Sequence, residues 1–523
     1  MVLGFNLRDT LRNKRDIQTI IQRNDRLEQI IDLIGAKYVD SVNTNLLYED
    51  AVNGILSHLD PHTVYITADE YDEVNEDLEG GFFGIGVEFS IIRDTIQVTS
   101  VIEQGPAERA GVRLGDQLIK VADSVVAGKG ITSDRIVGML KGKQYSSVFV
   151  TLRDAKTGSL KQVPIKRDMI PLYSVEASIM LDSITGFIKI DRFSATTYEE
   201  FMKALKTLQN SGMKQLILDV RQNPGGYLDA ATNIADEFLD DEKLIVYTKG
   251  KSMARMDYKA DRDGLFEKGK LAVLVDESSA SASEILAGAV QDWDRGIIVG
   301  RRTYGKGLVQ EQFDMDDGSG LRLTIAKYYT PSGRSIQRSF AKGKDAYAEE
   351  FTKRFESGEL TGLDSVFRED TMKYYTANKR VVYGGGGIKP DVYVPYDTNR
   401  LSSGVLNIVF SDELRDFVWD YFIRNRSTLE QYKNVAVYNR QFRSSDIIDR
   451  YISSLHPRQQ GVVRGVLSVP ANRQYFEVQL KAQLARILFR SNGYYAIQSQ
   501  GDNVVRRAIQ VLYGQKYSVL IKR

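Results

Sequence analysis

The segment with the most chemistry in it runs Val275-Asp-Glu-Ser-Ser-Ala-Ser-Ala-Ser-Glu284. An apolar strand ends, small residues make a tight turn, and a helix begins. A serine placed there sits at a helix N-terminus, where unpaired N–H groups and the helix dipole favour developing negative charge. That is the setting a nucleophile needs when the carbonyl it attacks becomes an oxyanion. Serine is also a favoured N-cap, so on this stretch alone a purely structural turn is the competing reading. A base has to come from elsewhere. The three histidines, His58, His62 and His456, all lie outside the segment that reads as an α/β core, so a Ser-His pair requires assembly between domains. The other candidate is the glycine-flanked lysine of Arg301-Arg-Thr-Tyr-Gly-Lys-Gly307. Lys306 acts as a base only when neutral, and burial in an apolar wall lowers an amine's pKa because it disfavours the charged form. The competing readings are a surface-loop lysine and a phosphate loop, and the Walker spacing is absent.

The elements that must hold these residues alternate between strand and helix, which argues for an α/β core. Residues 186–190, 215–220, 271–275 and 297–299 are apolar runs of strand length, and helices are expected from Thr197 and over 284–293. Thr197-Tyr-Glu-Glu200 reads as a capping box, with Phe201, Leu205 and Leu208 on one helix face. Residues 81–167 instead show short alternating strands punctuated by glycine, with one helix over Ser133–Leu140, the size of a single small domain. Residues 16–59 carry Ile17, Ile20, Ile21, Leu27, Ile30, Ile31 and Ile34 at helix spacing, and Asp60-Pro-His62 stops that run. Residues 345–377 read as a polar, helix-prone insertion, and the chain is helical again beyond Arg400, without a motif. The expected division is a helical region over 1–79, a mainly β domain over 80–170, an α/β core over 171–400 and a helical region over 401–523.

Composition narrows the function classes. Hydrophobic residues make up 42% and charged residues 27%, the balance of a globular chain with a real core. Lys plus Arg (70) nearly cancel Asp plus Glu (69), so neither nucleic acid nor an anionic membrane is implied as partner. The absence of cysteine excludes disulfides, thiol catalysis and cysteine-based metal sites. No cofactor or metal is expected. No stretch approaches the roughly 18 apolar residues of a membrane span. Met1-Val-Leu-Gly-Phe5 is too short for a signal segment, so the reading is either a cytoplasmic protein or one whose targeting segment is missing.

Ser279-Ala-Ser-Ala-Ser-Glu-Ile-Leu-Ala-Gly-Ala289, then Gln291-Asp292, Gly305-Lys-Gly307 and Gln310, together resemble the C-terminal processing peptidases of the S41 serine peptidases. The resemblance implies that Ser281 is the nucleophile, that Lys306, 25 residues later, is the base, and that Gln310 holds the lysine amine. Leu218-Asp-Val-Arg-Gln-Asn-Pro-Gly-Gly226 is similar to the family's glycine turn, which implies oxyanion donors at Gly225 or Gly226 and at Ala282. Leu59-Asp-Pro-His62 and Tyr328-Tyr-Thr-Pro-Ser-Gly-Arg-Ser-Ile-Gln337 also look like family signatures, which makes His62 a structural residue that caps a turn. Asp292 reads either as an influence on the site or as a solvated helix end.

Gly84-Ile-Gly-Val87, with Gly105-Pro-Ala-Glu-Arg-Ala-Gly111 and Gly115-Asp116, resembles a PDZ domain. A glycine turn presents successive N–H groups to a terminal carboxylate while the peptide adds as a strand to the sheet edge. The expected peptide site is Gly84, Ile85, Gly86 and Val87, faced by Ile136 and Leu140, with Arg167 as a hinge sensor that couples tail binding to alignment of Lys306 with Ser281. The resemblance further implies protein or peptide substrates with free C-termini, an adaptor protein, a homodimer, and a place in the periplasm or cell envelope. Two other classes stay open: a non-catalytic PDZ scaffold on a dead peptidase fold, and a hydrolase such as an esterase.

Overall fold

The computed structural model describes residues 26–128, 130–362, 372–396 and 402–522; Ile17, Ile20, Ile21 and part of the 345–377 insertion lie outside them. Helices α1 (Arg26–Lys37) and α2 (Thr44–Leu56) lead into a short strand β1 (Val64–Ile66) and an acidic helix α3 (Ala68–Glu79). The turn between α2 and β1 is capped by Asp60, not by His62. The Asp60 carboxylate accepts the N–H groups of His62 and Thr63 at 2.9 and 3.1 Å. A short acceptor side chain bonding two residues ahead is what makes an Asx turn cheap.

The small β domain follows. Strand β2 (Gly81–Gly84) enters it, and β3 (Val87–Ile92), β4 (Thr95–Val101), β5 (Gln117–Val121), helix α4 (Ser133–Leu140), β6 (Ser147–Arg153) and β7 (Leu160–Lys166) build it. Strand β8 (Asp168–Pro171) leaves it, paired antiparallel with β2, so entry and exit form one two-stranded hinge. The main sheet runs β3-β4-β5-β6-β7, which leaves β3 at an edge. Ile136 and Leu140, expected on a groove wall, are instead buried in this domain's core together with Ile85, Val98 and Val150. At spacing i, i+4 they share the apolar face of α4, and the core claims that face first.

The core opens with β9 (Val175–Met180), β10 (Thr185–Ile190), α5 (Thr197–Asn210), β11 (Gln215–Asp219) and α6 (Leu228–Asp236). It continues through β12 (Leu244–Lys249), β13 (Met256–Lys259), β14 (Lys270–Val275), α7 (Ala282–Asp292) and β15 (Ile297–Gly300). Strands β16 (Leu308–Asp314), β17 (Gly320–Tyr329) and β18 (Val392–Tyr393) complete it. The main sheet has the order β9-β10-β11-β14-β15-β18 and is parallel except at β9. Both faces are covered, which explains the unbroken apolar runs that made these strands visible. A second sheet, β1-β17-β12-β13 with β16 on β17, ties the N-terminal turn to the lysine segment. The expected capping box at Thr197 does not form: Glu200 turns away to accept the N–H groups of Ser174 and Val175 at 2.8 and 2.9 Å.

The side chains of the main sheet alternate between two cores. Ile188, Leu218 and Val273 face α5, α6 and α7, whereas Phe187, Ile217, Ala272 and Leu274 face the opposite way. That second face is covered from the far end of the chain, where α8 (Asp412–Arg424) and α9 (Pro470–Gly501) precede α10 (Asn503–Tyr513). Val504, Val505, Ala508 and Val511 of α10 lie on the sheet. The C-terminal helical region therefore supplies one layer of the core. It also grips the β domain: Ile92 and Leu114 pack into its apolar cluster, and Arg93 pairs with Asp420.

Candidate active site

Ser281 stands at the junction of β14 and α7, where the chain turns from strand into helix. Its backbone is held at φ 56° and ψ −111°, a conformation that costs a non-glycine residue energy and persists only when its surroundings enforce it. The enforcement is visible. Asn223 of the glycine turn accepts the Ala280 N–H and the Ser283 hydroxyl through its carbonyl, each at 3.0 Å. Its side chain donates to the Ile190 carbonyl at 3.1 Å and accepts the Gly225 N–H at 2.8 Å. Asn223 thus fixes the turn against the serine segment.

The glycines are needed because nothing larger fits. Gly225 has φ +102°, and a Cβ there would come within 2.7 Å of Ser281 Cβ. Gly226 has φ +142°, and a Cβ there would meet the Phe193 carbonyl oxygen at 2.0 Å. With the Gly225 N–H committed to Asn223, the N–H groups of Gly226 and Ala282 carry no hydrogen bond among the described contacts.

Two buried groups, neither expected to play a part, join the serine segment to the lysine segment. The Glu284 carboxylate accepts the N–H of Ser281 at 2.9 Å, of Lys306 at 2.8 Å and of Gly305 at 2.7 Å, along with the Thr303 hydroxyl. The Tyr328 hydroxyl reaches the carbonyls of Ser281 and Lys306 at 3.0 and 2.6 Å. Backbone is therefore pinned to backbone on both sides of each residue. Burial pushes the Glu284 carboxyl up to about 7, against the pull of its four donors. Spacing alone carried a signal for Glu284, since Ser281-x-x-Glu284 has the form of a capping box. Only the arm from Glu284 to the Ser281 N–H is made, because Ser281 Oγ is buried without a hydrogen-bond partner. Tyr328 opens a signature-like run, but that pattern assigns it no contact, because local sequence says nothing about which distant carbonyls a tyrosine will meet.

The lysine amine is held low. Burial, then the Arg322 charge, bring Lys306 from 10.5 to about 8, while Asp60 and Glu284 oppose the change. Asp60 is itself pushed up by burial, but bonds from Thr63, the His62 N–H and Thr324 outweigh that and keep it below the usual carboxylate range. His62 lies in the same neighbourhood without being a base. Burial, then the Lys306 charge, drive its imidazole down to about 3, and Nε2 sits 2.9 Å from the Tyr347 hydroxyl. The structure does bring a histidine to the core, yet one too weakly basic to take a serine proton near neutral pH.

Gln310 and Asp292 are placed differently from expectation, and Arg167 has partners on α4. The Gln310 amide donates to the His62 carbonyl and makes no bond to Lys306. Asp292 is neither solvated nor at the site: it is buried against Arg334 at 2.7 Å and accepts the Ser332 N–H at 3.0 Å. Arg167 donates to the carbonyls of Leu140 and Met139 at 2.9 and 3.0 Å, capping the C-terminus of α4 where a cation complements the helix dipole.

The sequence matches peptidase family S41 over residues 184–343, a PDZ domain over 97–154 and the N-terminal domain of the activating protease CtpB over 6–70. Residues 406–490 match a family of unknown function. A carboxy-terminal-processing protease from Bartonella bacilliformis is 33% identical over 316 residues, 60% of this chain and 72% of that one. A "Probable CtpA-like serine protease" from Staphylococcus aureus is 34% identical over 314 residues, 60% of this chain and 62% of that one, so the chain spans less than two thirds of that relative. Among solved structures, the photosystem II D1 C-terminal processing protease is similar at 25% identity and a TM-score of 0.36, covering 71% of this chain and 87% of that one. With 33% identity over an alignment that covers 72% of the Bartonella protein, and with S41 and PDZ matches in this chain, the chain belongs to the carboxy-terminal-processing proteases, serine-type peptidases of family S41.

Proposed function

We propose that the chain cleaves polypeptides through a Ser281–Lys306 dyad. The observation that carries this is the double staple: Glu284 and Tyr328 each bond to both residues' backbone, and the lysine so placed has its amine lowered to about 8. In the first half-reaction Ser281 Oγ attacks the carbonyl carbon and its proton passes to Lys306 Nζ. The carbonyl oxygen takes the negative charge beside the unpaired N–H groups of Gly226 and Ala282. Collapse expels the amine, which takes the proton from Lys306, and the acyl-enzyme remains. Neutral Lys306 then deprotonates water, which attacks the ester, and Ser281 recovers its proton as the new C-terminus leaves. Gln310 orients the amine once it is released from His62.

Because Ser281 Oγ has no hydrogen-bond partner, attack requires the amine to approach it. A route for that movement runs through the PDZ domain. A substrate C-terminus adds to the open edge of β3, with its carboxylate on the turn of Gly84, Ile85, Gly86 and Val87, and shifts α4. Arg167 passes the shift to the hinge, since it bonds to the end of α4 and stands directly before β8. Substrates are accordingly proteins with free C-termini, met in the cell envelope, with or without an adaptor. No helix among the described residues is long and apolar enough to cross a membrane. A homodimer through the N-terminal helices is supported by Ile30, Leu33, Leu46 and Ile55, which are 55–62% exposed on α1 and α2.

The test is mass spectrometry of candidate envelope proteins incubated with wild type, Ser281→Ala and a chain lacking residues 81–167. New C-termini should appear only with active enzyme. Cleavage by Ser281→Ala would end the dyad reading, and unchanged preference for free C-termini in the deletion would end the gate.

A further inference from the structure

A cavity of about 740 Å³ lies between β12, β17 and the turn at Asp60. Four lysines line it: Lys249, Lys251, Lys327 and Lys344. Lys249 and Lys327 are directly paired across β12 and β17, an arrangement that costs stability because like charges face each other across strands. Among the described residues, Lys249, Lys251 and Lys327 make no ion pair, and Lys344 donates only to the Leu56 carbonyl at 2.9 Å. Asp60 is the one carboxylate in the lining, and its oxygens are already taken by Thr63, the His62 N–H and Thr324. The floor is apolar, with Leu308, Ile325 and Phe340.

Uncompensated like charge above an apolar floor is a local conflict of the kind that folded proteins keep where something binds. Its position names the occupant. Leu308 is two residues from Lys306 and pairs with Lys327, and Asp60 is shared between the cavity wall and the electrostatic surroundings of the lysine amine. The strand that leaves Lys306 thus enters the cavity wall at Leu308, which links the cavity to the segment that carries the base. We infer that the cavity is a specificity subsite that takes an acidic segment of the polypeptide flanking the cleaved bond, with carboxylates toward Lys249, Lys251 and Lys327. The inference rests on the peptidase reading of the site and adds to it a substrate preference.

The experiment compares three quenched-fluorescence peptides that differ only in a short run flanking the cleavage site: Asp/Glu, Asn/Gln or Lys. Each is cleaved by wild type and by a Lys249→Gln/Lys327→Gln variant, whose exposed side chains leave the fold intact. Wild type should favour the acidic peptide over the neutral one by on the order of tenfold in kcat/KM, mainly through KM, and this preference should shrink as salt is raised. The double variant should lose most of that preference while cleaving the neutral peptide as wild type does. Equal rates for acidic and neutral peptides in wild type, or a preference retained in full by the double variant, would overturn the inference. Fluorescence anisotropy of the labelled peptides separates the two readings. If nothing is cleaved, the peptidase reading fails, and charge-dependent binding that is lost in the double variant still decides for or against the cavity.

Discussion

Arg322 offers a single substitution that tests whether Lys306 is the group whose ionisation governs the reaction. Burial and, after it, the Arg322 charge together lower the amine from 10.5 to about 8. At pH 7 an amine at 10.5 is neutral in about one molecule in 3,000, and one at 8 in about one in 11. Arg322→Gln removes the like charge and leaves the burial, so the amine rises above about 8 but stays below 10.5. Below the pKa of a required neutral base, the rate falls tenfold per pH unit. Each unit by which the acid limb moves therefore costs tenfold at pH 7, with the alkaline plateau unchanged. The structural cost is small: Arg322 makes one bond, to Gln312 at 2.9 Å, worth about 1 kcal/mol, and its Nε is buried without a partner. The assay is kcat/KM on a peptide substrate from about pH 6 to 10 for wild type, Arg322→Gln and Arg322→Lys. Wild type should show an acid limb near 8, the glutamine variant a limb at higher pH, and the lysine variant the wild-type limb. A glutamine variant with an unmoved limb and a lowered plateau would refute the reasoning.

Lys306→Met should abolish cleavage yet raise the unfolding midpoint at pH 7. The folded chain pays to keep the amine charged below about 8, a cost on the order of 1–3 kcal/mol that fades as pH rises from 8 toward 10.5. Comparing thermal denaturation of the two proteins at neutral and alkaline pH checks the sign. Tyr328→Phe strips one donor from two carbonyls and should lower stability by about 1–3 kcal/mol and kcat by tenfold or more, with KM little changed; a stability loss with full kcat would show that the staple does not position the dyad. Gly225→Ala forces a Cβ to within 2.7 Å of Ser281 Cβ at φ +102°, so activity toward esters and peptides alike should vanish in a protein that still unfolds cooperatively.

Much of the site was legible from local pattern. The helix start after Val275, the glycine turn ending at Gly226 and the glycine-flanked Lys306 announce themselves because each depends on residues close in sequence, and apolar runs buried on both faces mark the parallel strands. Ile136 and Leu140 show the limit. Their spacing fixes a helix face but not whether that face meets a ligand or the domain's own core, and here the core took it.

Composition and local pattern settle which groups are available: a serine, a lysine, almost no histidine, no thiol, and glycines where a side chain would block the turn. Tertiary structure decided what each group can do. The amine's depression comes from burial and from Arg322 on another strand, and the two segments are joined by Glu284 and Tyr328, the latter 47 residues beyond Ser281 in the chain. Only the folded chain shows that Gln310 is engaged by His62 and that Ser281 Oγ is left unbonded. The physical reason is that desolvation and long-range hydrogen bonding are properties of the three-dimensional neighbourhood, which no local window of sequence specifies.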